Sequence, residues 1–158
     1  MNAYSSRVEA LTTFQQLTEL EETACQSGAQ SPELKAAIEA RSIELGKVYV
    51  LDALSRREED LTPAETDIVR GLAYYVGLKR REKSHAGRTI TQVKSKGLKG
   101  AAEAAVSQNT STPGYDALVA QDLVDLSYEK IISNHPNEFS SRSVWFARRK
   151  LNTKLRRK

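Results

Sequence analysis

Apolar residues recur every three or four positions through most of this chain, the spacing of one helical face. Val8, Leu11, Phe14 and Leu17 open the pattern and Leu20 or Ala24 extends it. They predict a helix over residues 6–26, capped by Ser5 or Ser6 and ended at Gly28 by a left-handed residue. Ser31-Pro32-Glu33-Leu34 starts a second helix. Serine accepts a free first-turn N–H, proline sits where its missing donor costs nothing, and Glu33 lies near the positive end. This helix runs to about Arg57–Glu59 through Leu34, Ile38, Arg41, Leu45 and Val48. Its Val48-Tyr49-Val50-Leu51 is apolar on every side, which predicts a segment wrapped by neighbours. A connection of about five residues makes the first two helices an antiparallel hairpin.

Thr62-Pro63-Ala64-Glu65 has the spacing of a capping box with proline at the first helical position. The helix it starts carries Ile68, Val69, Leu72, Ala73 and Val76, then ends in Lys79-Arg80-Arg81. Gly71 and Gly77 each weaken it by about 1 kcal/mol against alanine, and glycines on a packed helix let another backbone come close. A short helix follows from Thr89 to Lys96, with Ile90 and Val93 inward and Arg88, Gln92, Ser95 and Lys96 outward. Gly97 stops it, and residues 98–108 form the next, with Leu98, Ala102, Ala105 and Val106 inward. Helix, glycine turn, helix is the outline of a helix-turn-helix unit.

Residues 109–114, NTSTPG, are rich in turn formers and read as a linker. Tyr115, Leu118, Val119, Leu123 and Leu126 then predict a helix broken near Asp122, and Ser127 to Ile132 a short one. His135-Pro136 makes a turn and Phe139 plugs the core. The last helix is capped by Ser140 or Ser141 and docks a stripe of Val144, Ala147, Leu151 and Leu155. The fold class is therefore all-α. An N-terminal antiparallel hairpin (1–60) precedes shorter helices with helix-turn-helix-like units, one over 61–108 and one over 115–158.

Composition narrows the function classes. Of 158 residues, 39% are hydrophobic and 28% charged, which fits a soluble protein with a modest core. No apolar run approaches the roughly 20 residues of a membrane span. MNAYSSRVEA lacks the apolar centre of a signal peptide, and the single Cys25 excludes an intrachain disulfide. A cytoplasmic or nuclear location follows, with no membrane partner. Charge is divided along the chain: residues 1–78 hold 7 Lys/Arg and 13 Asp/Glu, residues 79–158 hold 17 and 7. Residues 79–99 and 140–158 are two basic islands. A basic run is often only a solvated face, and cations suit a helix C-terminus. Their interleaving with aromatics in the last helix favours a polyanion partner.

Catalytic signals are missing. His85 and His135 are isolated beside turns, and no zinc-protease, Cys-x-x-Cys, nucleophile-elbow or phosphate-loop spacing occurs. Glu21-Glu22 and Glu58-Glu59-Asp60 have no metal-cage spacing. The chain reads as non-enzymatic, with no cofactor and no metal. Nucleic acid is the expected partner, DNA ahead of RNA, with self-association through residues 6–59.

Gln92, Lys96, Arg149 and Asn152 carry the donors that read base edges. Arg80, Arg81, Lys94, Arg148, Arg156 and Arg157 suit phosphates. Arg88, at the start of one basic helix, matches Arg142 at the start of the other, and Lys96 matches Lys150. Trp145 and Phe146 are expected as core plugs; exposed, they would instead stack the bases of a single strand. Residues 87–94, GRTITQVK, resemble the turn into the third helix of Myb/SANT-type domains. The tryptophan ladder of that family is missing here, since Trp145 is the only tryptophan, and no residue role is carried over. The function expected is double-stranded DNA binding through about four to eight phosphates. The alternatives are an assembly module that pairs the acidic and basic halves, or an RNA-binding protein.

Overall fold

The computed structural model describes residues 7–81, 87–108, 118 and 123–155, and the side chains of all of these except 80, 81 and 153–155. Among the described residues every regular element is helical, and no helix is long and apolar enough to cross a membrane. The α-helices are α1 (Phe14–Ser27), α2 (Pro32–Leu54), α3 (Pro63–Arg81), α4 (Gly87–Lys96), α5 (Leu98–Val106), α6 (Tyr128–Asn134) and α7 (Ser141–Leu155). Single 3-10 turns occupy 58–60, 124–126 and 136–138. The expected linker at 109–114, His85 and most of the helix expected after Tyr115 lie outside the described residues.

Two compact units emerge: Met1–Val50 with Leu72–Ala86, and Leu51–Gly71 with Gly87–Lys158. They cut across the charge pattern. The first unit holds eight Lys/Arg and eight Asp/Glu, the second sixteen and twelve. The acidic N-terminal half thus does not fold as an acidic body, because the basic end of α3 belongs to the same unit.

In the first unit, Leu17 and Ala24 of α1 meet Leu34 and Ile38 of α2, with Val8, in one buried cluster. The first helix differs from expectation. Residues 7–9 form one helical turn, and the helix restarts at Thr13, which is extended (φ −130°). Thr13 Oγ1 accepts from Gln16 N at 3.2 Å, and Gln16 Oε1 accepts from Thr13 N at 3.2 Å and Thr12 N at 2.8 Å. This reciprocal box satisfies donors that a continuous helix would have used internally, so it competes with helix propagation and wins locally. Gly28 ends α1 at φ 71°, where alanine would be strained.

The buried residues of α2 are Leu34, Ile38, Ser42, Gly46 and Val50, each four apart. Small residues let α3 approach this row. A Cβ on Gly46 would collide with the Ala73 carbonyl, and one on Gly77 with Ser42 Oγ. The expected wrapping of Val48-Tyr49-Val50 is not found: Val50 is fully buried, but Val48 is 59% and Tyr49 37% exposed. A helix flanked on one side buries one row, whatever the hydropathy of its other rows. The helix also ends earlier than expected, at Leu54. Ser55 turns left-handed (φ 52°), and Arg56 N donates to Leu51 O at 3.0 Å, closing the helix in Schellman fashion.

That early stop frees Arg56 for the second unit. There Glu65 closes the expected box: Glu65 N donates to Thr62 Oγ1 (3.2 Å) and Thr62 N to Glu65 Oε1 (3.1 Å). Arg56 grips both oxygens of Glu65 at 3.2 Å. Glu138, from the 136–138 turn, accepts the first-turn amide of Ala64 at 2.9 Å, and Lys99 pairs with its other oxygen at 3.1 Å. His135 Nε2 lies 2.6 Å from Asp67 Oδ2. Around these contacts pack Ile68, Val69, Ile90, Val93, Ala102, Val106, Ile131, Ile132 and Phe139, all buried. Leu126 comes so close to α3 that a Cβ on Gly71 would sit 2.6 Å from its carbonyl oxygen.

Two stability predictions follow from these contacts. Gly71→Ala lowers unfolding stability by about 1–3 kcal/mol although alanine is the better helix former, because the backbone beside it cannot move away freely. Gly100→Ala, whose Cβ meets only Lys96 Cβ at an ordinary 3.5 Å, raises stability by about 0.5–1 kcal/mol. Urea titration reads both, and equal signs would refute the close-approach account. The second concerns acid. Burial pushes the Glu65 carboxyl up, but Arg56 and the Thr62 amide outweigh it and hold it below the ordinary 4.5. Burial likewise opposes Glu138, and Thr62, the Ala64 amide and Lys99 hold it below 4.5. Depressed carboxyls stabilise fully above the unfolded value, and the gain is lost as pH falls through the folded value. Glu138→Gln therefore costs about 1–3 kcal/mol at neutral pH, and its gap to the native chain closes as melting is repeated below pH 4.5.

Candidate nucleic-acid interface

The start of α7 is built by serine chemistry. Ser140 Oγ accepts from Ser143 N at 3.2 Å, while Ser140 N donates to Glu103 Oε1 of α5 at 3.1 Å. Ten residues on, Lys150 Nζ donates to the Ala105 carbonyl at 3.3 Å. Between these two straps Val144 and Ala147 are buried, and Leu151 just beyond the second is half-buried. One row of α7 is therefore held inward along α5 and α6. The opposite row, Ser141, Arg142, Trp145, Arg148, Arg149 and Asn152, is exposed. Each of them lies three, four or seven positions from others in the set, so they share a face.

The aromatics organise that face. Trp145 is 55% exposed, so the favoured expectation of a core plug is overturned for it; Phe146 is half-buried. The periodicity carried this signal, since Trp145 is one residue off the Val144–Ala147–Leu151 row and in step with Arg142, Arg149 and Asn152. Trp145 and Phe146 meet edge to face, with centroids 5.0 Å apart at 76°. The Arg142 guanidinium lies 5.5 Å from the Phe146 centroid and that of Arg149 lies 5.1 Å from the Trp145 centroid. Each arginine sits four residues from its ring. Such contacts hold a guanidinium in place for about 0.5–1 kcal/mol.

Beside Trp145 an open groove of about 710 Å³ is lined by Pro136 and by Ser141, Val144, Trp145, Arg148, Arg149 and Asn152. Its volume falls within the roughly 300–1,000 Å³ of small-ligand sites.

The other expected contact residues are placed as follows. Arg88, Gln92, Lys94 and Lys96 are exposed on α4, whose Ile90 and Val93 are buried as expected. Neither these three cations nor Arg148 pairs with an acid among the described residues. Helix α5 packs against both α4 and α7, so both basic helices belong to one body. Lys150 is half-buried and turned to the α5 carbonyl, where it also complements the negative helix end. Arg80 and Arg81 belong to α3, but their side chains are outside the described set, as are Arg156 and Arg157 entirely. His135 is tied to Asp67, with Glu138 Oε2 3.8 Å from its other nitrogen, so it holds the turn that forms one groove wall.

No protein-family model matches this chain, and no curated protein or solved structure matches it.

Trp145, being the only tryptophan, reports on this face directly. The folded chain is expected to show solvated, red-shifted tryptophan emission that iodide quenches more strongly than caesium, because Arg148 in the same groove concentrates anions near the ring. A blue-shifted, quencher-resistant emission would refute the exposed placement.

Proposed function

We propose that this chain is a non-enzymatic DNA-binding protein that lays the exposed face of α7 against duplex DNA. The observation that carries the reading is that face itself: three guanidinium groups, an indole and an amide in one row, with no carboxylate anywhere in α7. Residues 142–152 span about 15 Å of helix, and the major groove is about 12 Å wide and admits an α-helix. Arginine forks suit phosphate oxygens, and Asn152 carries the amide that pairs with adenine. The exposed Arg88, Lys94 and Lys96 of α4 add charge on the same body. Pairing of acidic and basic halves is less well supported, because the unit containing most of the acidic half carries equal numbers of both signs.

Deleting α7 would be a poor test, since Val144 and Ala147 are core residues. Charge changes on the exposed row are cleaner. Fluorescence anisotropy with a short duplex is expected to show log affinity falling with log salt at a slope between about −4 and −7. Arg148→Ala reduces the magnitude of that slope by about 1, and Arg148→Glu weakens binding further. A slope near zero, or an Arg148→Glu protein that binds like the native chain, would overturn the proposal.

A further inference from the structure

We propose that the groove beside Trp145 holds an unpaired base of a DNA strand, stacked on the indole, with the neighbouring phosphate held by Arg148. This rests on the reading of α7 as the DNA-binding face and narrows what that face selects. Steadying one arginine does not by itself account for an indole left so exposed in a groove. Exposing more than half of an indole forfeits the burial that large aromatics usually supply. Here the exposed ring lines a concave groove rather than a convex surface.

The groove offers three things a nucleotide can use together. Trp145 gives a flat ring with the Arg149 guanidinium 5.1 Å from its centroid, and bases stack on rings and guanidinium planes alike. Arg148 brings a second guanidinium with no ion-pair partner among the described residues, available to a phosphate. Asn152 and Ser141 place an amide and a hydroxyl at the rim, able to meet the donors and acceptors of a base edge. A base inside a duplex has both faces covered by its neighbours and cannot use the ring. Only an unpaired one can, at a bulge, gap, mismatch or strand end, where the cost of unstacking is lowest. The occupant is thus anionic, planar and locally single-stranded.

The test uses the full chain with four labelled probes: a perfect duplex, the same duplex with one unpaired thymine, an oligo-dT strand and an oligo-rU strand. The unpaired-thymine duplex is expected to bind about tenfold more tightly than the perfect one, as expected for one stacked base. It should also quench Trp145 emission, and oligo-dT should quench it too. In Trp145→Ala the ratio between the two duplexes falls to about one, and Trp145→Phe keeps part of it. An unchanged melting temperature checks that the exposed-site variants remain folded. Equal, salt-dependent binding of the two duplexes with no quenching overturns the base pocket and leaves the DNA-binding reading standing. A preference that survives Trp145→Ala, or tighter binding of oligo-rU than oligo-dT, also overturns it. Absence of binding to every probe at low salt removes both readings.

Discussion

The first turn of α3 is the point on which the second unit depends. Its amide groups have no partners within the helix and lie where water has limited access, so each needs an acceptor from the fold. Two carboxylates supply them. Glu65 is local, three residues from its cap, and is held by Arg56. Glu138 is remote, 74 residues from Ala64 in sequence, and Lys99 balances its charge. A negative group at the positive end of a helix gains from the dipole as well as from the hydrogen bond. Removing Glu138 would therefore leave a helix end and a lysine unsatisfied together.

The interface inherits its geometry from that contact. Glu138 and His135 pin residues 135–138 to α3, one at Ala64 and one at Asp67. The same turn carries Pro136, a wall of the groove, and it delivers Phe139 into the core and Ser140 onto Glu103. With its start fixed this way, and Lys150 fixed ten residues later, α7 cannot roll about its axis. Which residues face outward is then decided by helical pitch alone. The proposed DNA-binding row is in this sense a consequence of how a different helix is capped.

Local chemistry was readable from the chain, and long-range chemistry was not. The box at Thr62–Glu65, the proline start at Pro32, the left-handed Gly28 and the inward pair Ile90 and Val93 all depend on residues within four or five positions of each other, and each is found as the sequence predicts. The Val8–Leu17 periodicity misled because apolar spacing says nothing of a break; the Thr13–Gln16 box that makes the break was there to be read beside it. Val48 and Tyr49 misled for the opposite reason: hydropathy permits burial but does not turn every apolar row toward the core. Nothing near Glu138 in sequence indicates that it caps α3, and nothing near Lys150 indicates that it turns toward the α5 carbonyl. Those roles exist only once the helices have packed.

The partners chosen by the arginines separate scaffold from surface. Arg56 and Arg41 are matched with carboxylates, Glu65 and Glu44, and their charge is spent within the fold. Arg142 lies over the Phe146 ring, and the Arg149 guanidinium also lies over the Trp145 ring. A carboxylate neutralises a guanidinium and must be displaced before a phosphate can take its place, which opposes binding. A ring steadies the guanidinium through its quadrupole and lowers the entropy lost on docking, yet leaves the in-plane N–H donors and the full charge available. An arginine held this way is prepared for an anion in a way that an ion-paired one is not. Arg142, held this way on a helix without a single acid and beside Arg148, supports the proposed anion-binding role of that face.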